Sequence, residues 1–124
     1  MTNLDIAMNS ETSSDVLVNL SDDKQWYIRW NVARNPNTPV DVLVKLSSDE
    51  EWIVRDAIAE NLNTPSNILV NLSNDEVYFV RWNIAKNPHT PVDVLEKLLT
   101  DEDSNVCKAV AENPNNPTVV LGKI

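Results

Sequence analysis

A chain of 124 residues with 42% hydrophobic and 23% charged side chains is sized for one domain, too apolar for wholesale disorder, and able to bury about two-thirds of its unfolded surface. Ten basic against nineteen acidic residues leave a formal charge of -9, the wrong sign for a protein that neutralises phosphates or anionic lipid, which argues against nucleic acid and membrane as partners. One cysteine, Cys107, and one glycine exclude an intrachain disulfide, a cysteine-held cluster, a phosphate-cradling glycine loop and a glycine-flanked serine elbow, so no cofactor or metal is expected.

Along the chain, NPNTP at 35–39, NLNTP at 61–65, NPHTP at 87–91 and NPNNP at 113–117 start 26 residues apart, without insertion or deletion. The register gives units at 9–34, 35–60, 61–86 and 87–112, a partial unit at 1–8 and a half unit at 113–124, making residues 1–124 a single repeat domain. A fixed period of this length means stacked supersecondary units, none able to bury its apolar face alone. The expected fold is all-α, a right-handed solenoid of two-helix repeats.

Each unit reads as a short helix followed by a longer one. Thr38 is expected to cap the short helix, with Pro39 at its first helical position and Asp41 three residues after the cap. Leu43 and Leu46 face one side, and the pair recurs as Leu17 and Leu20, Leu69 and Leu72, Leu95 and Leu98, and Leu121 and Ile124. So short an element is open to either α or 3-10 geometry. Asp49 is expected to cap the longer helix, which runs through WIVRDAIAE to Glu60. Asn61, like Asn35, Asn87 and Asn113, stands just past the helix, where a left-handed residue is common. The N-terminus MTNLDIAM lacks a basic start followed by a long apolar stretch, and no apolar run is long enough to span a bilayer; a reduced, cytoplasmic setting is expected.

These residues resemble a known family. VRDAIAENLNTPSNILVNLSND, with its echoes IRWNVARNPNTPVDVLVKLSSD and VRWNIAKNPHTPVDVLEKLLTD, is similar to the leucine-rich repeat variant, a bacterial repeat. The resemblance implies alternating α and 3-10 helices in a right-handed superhelix and a scaffold without a reaction of its own. Some proteins of that kind carry an iron–sulfur domain, which the single cysteine here does not permit. The spacing of Asp49 to Val54 and Arg55, repeated from Asp23 and Asp75, is also similar to HEAT repeats.

Helical-wheel geometry places Val54, Arg55, Ile58 and Ala59, and their equivalents in neighbouring units, toward the short helix. A guanidinium in that stripe needs a partner, and Asp23, Asp49, Asp75 and Asp101 supply one at the right interval, as a ladder across units. Cys107 replaces the arginine in the fourth unit and reads as a small buried apolar residue, and His89 as an exposed loop residue. Trp26, Trp52 and Tyr78 lie on the flank and are expected to stack between units.

The opposite face carries Tyr27, Trp30, Asn31 and Arg34, then Ile53, Asp56, Ala57 and Glu60, then Phe79, Trp82, Asn83 and Lys86, then Asn105, Lys108, Ala109 and Glu112. Trp30 and Trp82 stand out, because an indole left in water forgoes burying roughly 200 Å². Either a partner covers them or tight curvature buries them within one chain. The leading expectation is a noncatalytic scaffold that binds a protein or peptide through Tyr27, Trp30, Asn31, Arg34, Ile53, Asp56, Phe79, Trp82, Asn83 and Lys86 on a concave row. Acids at the starts of the longer helices offer an edge to a basic partner, against the plainer reading of solvated caps. Self-assembly as a homodimer through uncapped ends or the groove is the alternative. A remote third is a DNA glycosylase of HEAT-like layout, disfavoured because Asp56, Glu60 and Glu112 interrupt the basic lining such a groove needs.

Overall fold

Seven- and nine-residue helices alternate along residues 1–117, the part of the chain that the computed structural model describes. After α1 (Asn3–Met8), the short helices are α2 (Ser14–Leu20), α4 (Val40–Leu46), α6 (Ser66–Leu72) and α8 (Val92–Leu98). The longer ones are α3 (Trp26–Arg34), α5 (Trp52–Glu60), α7 (Tyr78–Lys86) and α9 (Ser104–Glu112). The pairs repeat in register, and the architecture is an all-α solenoid with no strand among the described residues. The short elements are α-helical in every repeat. The expected Leu121 and Ile124 pair lies outside the described residues.

Each longer helix packs directly against the longer helices before and after it, and each short helix lies against its own pair. The short helices contribute Leu17 and Leu20, then Val42, Leu43 and Leu46, then Ile68, Leu69 and Leu72, then Val94, Leu95 and Leu98, all buried. Ile28, Val32, Val54, Ile58, Val80, Ile84, Val106 and Val110 meet them from the longer helices. Burying one such side chain is worth about 1.5–3 kcal/mol, so the continuous apolar layer is what makes marginal nine-residue helices stable.

Three local expectations change. Thr38 does not cap α4: its hydroxyl donates to the carbonyl of Val32 at 2.5 Å, as Thr64 does to Ile58 and Thr90 to Ile84 at 2.7 Å. The last carbonyls of a helix have no partner within it, and the buried threonine serves that need instead. Pro39 is the cap residue, its carbonyl accepting from Val42 and Leu43. Asp49 does not cap α5 either; that helix starts three residues later, and the Asp49 carboxylate accepts the Glu51 N–H at 2.9 Å in a turn of its own.

The asparagines are not left-handed. Asn35, Asn61, Asn87 and Asn113 are extended, with φ between -68 and -73. Their side chains bridge repeats: Asn35 Nδ2 donates to the carbonyl of Ala7, Asn61 to Ala33, Asn87 to Ala59 and Asn113 to Ala85, at 2.7–2.9 Å. Each accepting alanine is fully buried, and its small side chain lets the neighbouring turn come close enough to bond.

Candidate interaction surface

The arginine ladder holds the starts of the longer helices together. Arg29 Nε and Nη2 donate to the Asp49 carboxylate at 2.7 and 3.1 Å, Arg55 to Asp75 at 2.7 and 3.3 Å, and Arg81 to Asp101 at 2.8 and 3.2 Å. Nη1 of each turns back to the carbonyl of Asp23, Asp49 or Asp75 in its own repeat. The paired carboxylate raises the pKa of all three guanidinium groups above the ordinary arginine value, against the opposing effect of burial. Cys107 is half-buried and keeps part of the arginine's role, its thiol donating to the Asp101 carbonyl at 3.2 Å. His89 is exposed, as expected.

Beyond the ladder, the outer face of the longer helices resolves into columns. Tyr27, Ile53, Phe79 and Asn105 form one; Trp30, Asp56, Trp82 and Lys108 the next; Arg34, Glu60, Lys86 and Glu112 line the C-terminal edge. Between the last two, Asn31, Ala57, Asn83 and Ala109 were expected to face outward and are instead buried. A helical wheel treats a helix in isolation, whereas here the longer helices pack side by side, and Asn83 meets Asp56 of the preceding one at a seam. Asn31 donates to the Tyr27 carbonyl at 2.8 Å, and Asn83 Nδ2 to Asp56 Oδ1 at 2.5 Å across the seam. Burial pushes the half-buried Asp56 carboxyl up to about 6, with the Asn83 amide opposing, Glu60 reinforcing, Lys86 opposing and Asp75 reinforcing.

The tryptophans divide. Trp30 and Trp82 are half-buried, packed on the core, and each carries a cation from its own helix: Arg34 Cζ lies 4.5 Å from the Trp30 ring centre and Lys86 Nζ 4.1 Å from that of Trp82. Trp26, Tyr27, Trp52 and Phe79, by contrast, are exposed at 41%, 40%, 39% and 41%. Trp26, Trp52 and Tyr78 do not form a ladder of equivalent rings. Trp52 stacks on Phe79 of the next repeat at 5.5 Å, Tyr78 on Phe79 at 4.2 Å, and Trp26 meets Tyr27 edge-on at 5.9 Å. The open aromatic edge therefore sits at the first turns of α3, α5 and α7, beside exposed Glu50, Glu51 and Glu76. Trp26 and Trp52 belong to it, each the first residue of its helix and each exposed, although Trp52 also stacks between units as expected.

No helix is long and apolar enough to cross a membrane, and no group of histidine, cysteine and carboxylate side chains suited to a metal ion is found, among the described residues. No curated protein and no solved structure matches the chain. A family model described as leucine rich repeat variant matches residues 26–51, a stretch running from the start of α3 through α4 to the threshold of α5. That stretch is one full period of the array, and over it the chain is similar to the leucine rich repeat variant.

Proposed function

We propose that this helical repeat scaffold is noncatalytic and holds a protein or peptide along the outer face of its longer helices. The observation that carries the reading is the exposed aromatic edge of Trp26, Tyr27, Trp52 and Phe79. Fully burying such a ring rather than leaving it in water is worth about 1.5–3 kcal/mol, and the rings stand as two contacting pairs, Trp26 with Tyr27 and Trp52 with Phe79, that a partner can cover. Aromatic anchors of this kind dominate interface energetics. Ile53 and the half-buried Trp30 and Trp82 floor the edge, Asn31, Asp56 and Asn83 set its seam, and Arg34 and Lys86 border it. Glu50, Glu51 and Glu76 have no ion-pair partner among the described residues and favour a partner with basic side chains next to apolar ones.

A peptide-array screen followed by titration of the best binders tests this. Trp52→Ala with Phe79→Ala should weaken binding by roughly a hundredfold, since two anchor rings are lost. Binders that ignore the double substitution would sink the proposal. Sedimentation that shows a dimer dissolved by the same substitutions would make a second copy the occupant.

A further inference from the structure

The ladder has a rung whose acid is present and whose arginine is missing. Asp49, Asp75 and Asp101 each bind the guanidinium of the residue twenty positions earlier. For Asp23 that residue is Asn3, whose Nδ2 reaches Asp23 Oδ2 only at 3.4 Å. The acid is nevertheless poised like the others, because Asp23 Oδ1 accepts the Gln25 N–H at 2.9 Å just as Asp49 Oδ1 accepts that of Glu51. Among the described residues no cation pairs with the Asp23 carboxylate, Arg29 reaching only its backbone carbonyl; its neighbour Asp22 is taken by Lys45, and Asp5 is held by Thr2. A groove of about 400 Å³ opens at this point, lined by Thr2, Asn3, Leu4, Asp23, Gln25 and Tyr27. The exposed Tyr27 ring offers the flat face on which a guanidinium stacks.

We propose that this groove is a receptor for an arginine side chain of the partner, which completes the ladder from outside. The chemistry is specified three times over in the same molecule: a carboxylate set by the same turn, gripped by the fork of Nε and Nη2. Lysine lacks the fork and takes the site poorly. The inference rests on the scaffold reading for its partner, and the site itself is tested without one.

The probe is N-acetyl-arginine amide, titrated at constant ionic strength while the amide resonances of Asp23, Gln25 and Tyr27 are followed, with N-acetyl-lysine amide as control. Saturable shifts at these residues are expected with the arginine compound, and affinity roughly tenfold weaker for lysine, which cannot bind bidentately. Asp23→Asn keeps the turn and should abolish the shifts. Asn3→Arg should abolish them too, by supplying the rung internally, and should raise the melting temperature. Shifts that do not saturate, that are equal for both amides, or that survive either substitution overturn the proposal. Trp52→Ala with Phe79→Ala leaves this groove untouched, so failure here and failure of the aromatic edge are read separately.

Discussion

Two kinds of carboxylate cross from one longer helix to the next, and they are in opposite electrostatic situations. In the ladder, Asp49, Asp75 and Asp101 are nearly buried, with side chains 7–8% exposed, and each is matched by a bidentate guanidinium. Around Asp101 burial pulls the pKa upward, yet the Arg81 hydrogen bond and the Asp103 N–H outweigh it and leave the group below the ordinary range. Asp56 bridges the same helices to the neutral amide of Asn83, and there burial wins. The partner, more than the depth, decides whether a carboxylate at the seam stabilises the stack or costs it.

The sharpest way to break that comparison is to strand a ladder acid. Arg55→Ala leaves Asp75 buried and unpaired, and should cost about 3 kcal/mol in urea unfolding. Replacing both members, Arg55→Met with Asp75→Leu, should recover most of the loss, since an apolar pair of similar volume needs no compensating charge. A loss under about 1 kcal/mol for Arg55→Ala would mean that water reaches Asp75 freely and the rung is a surface pair.

The amide ladder is expected to be the next largest contributor. Asn87→Ala removes the bond to the buried Ala59 carbonyl and also the acceptor for the His89 N–H, and should cost about 2 kcal/mol. Asn63→Ala, whose amide reaches the Pro36 carbonyl at 3.5 Å from an exposed turn, should cost about a quarter of that or less.

The ladders also show how far residues alone reveal this molecule. The Arg–Asp rungs were legible because a charge on an apolar stripe demands a partner, and the repeat offers one acid at a constant interval. Asn61 and Thr38 were legible in position and misread in role: helix-end chemistry suggests a left-handed residue and a cap, but their bonds depend on carbonyls that tertiary packing brings within reach. The burial of Asn31 and Asn83 had the same cause, since the neighbouring helix that covers them is absent from a wheel. Trp30 and Trp82 pack on the core, and the cations laid over them follow from the i, i+4 spacing of Arg34 and Lys86, which is present in the sequence.

The pH response sets Asp56 and Asp101 against each other. A carboxyl raised to about 6 binds its proton more tightly folded than unfolded, so Asp56 favours the fold most at low pH and this advantage disappears as pH rises through the window from about 4 to 6. Asp101 has the opposite sign: its contribution is complete above the ordinary carboxylate range and is lost as pH falls through its depressed value. Asp56→Asn should therefore raise stability at neutral pH by about 1 kcal/mol, after allowance for solvent screening, and flatten the profile between pH 4 and 6 while leaving the acid collapse below it. Melting temperatures across that range, for both proteins, provide the check.

The smallest expected effect isolates the charge that tempers Asp56. Lys86 both covers the Trp82 ring and lowers the Asp56 pKa, so Lys86→Met, which keeps an apolar stem and drops the ammonium, separates the two roles. Stability at neutral pH should fall by about 0.5 kcal/mol, the value of an exposed cation–π contact. The Asp56 titration midpoint, followed by carboxyl NMR, should move upward, because a cation opposing its protonation is gone. Lys86→Ala removes the stem as well and should additionally increase acrylamide quenching of Trp82, read in a protein whose other tryptophans are phenylalanine. An unchanged Asp56 midpoint in Lys86→Met would show that the ammonium is engaged with the indole alone, and that burial against the Asn83 amide accounts for the state of the seam by itself.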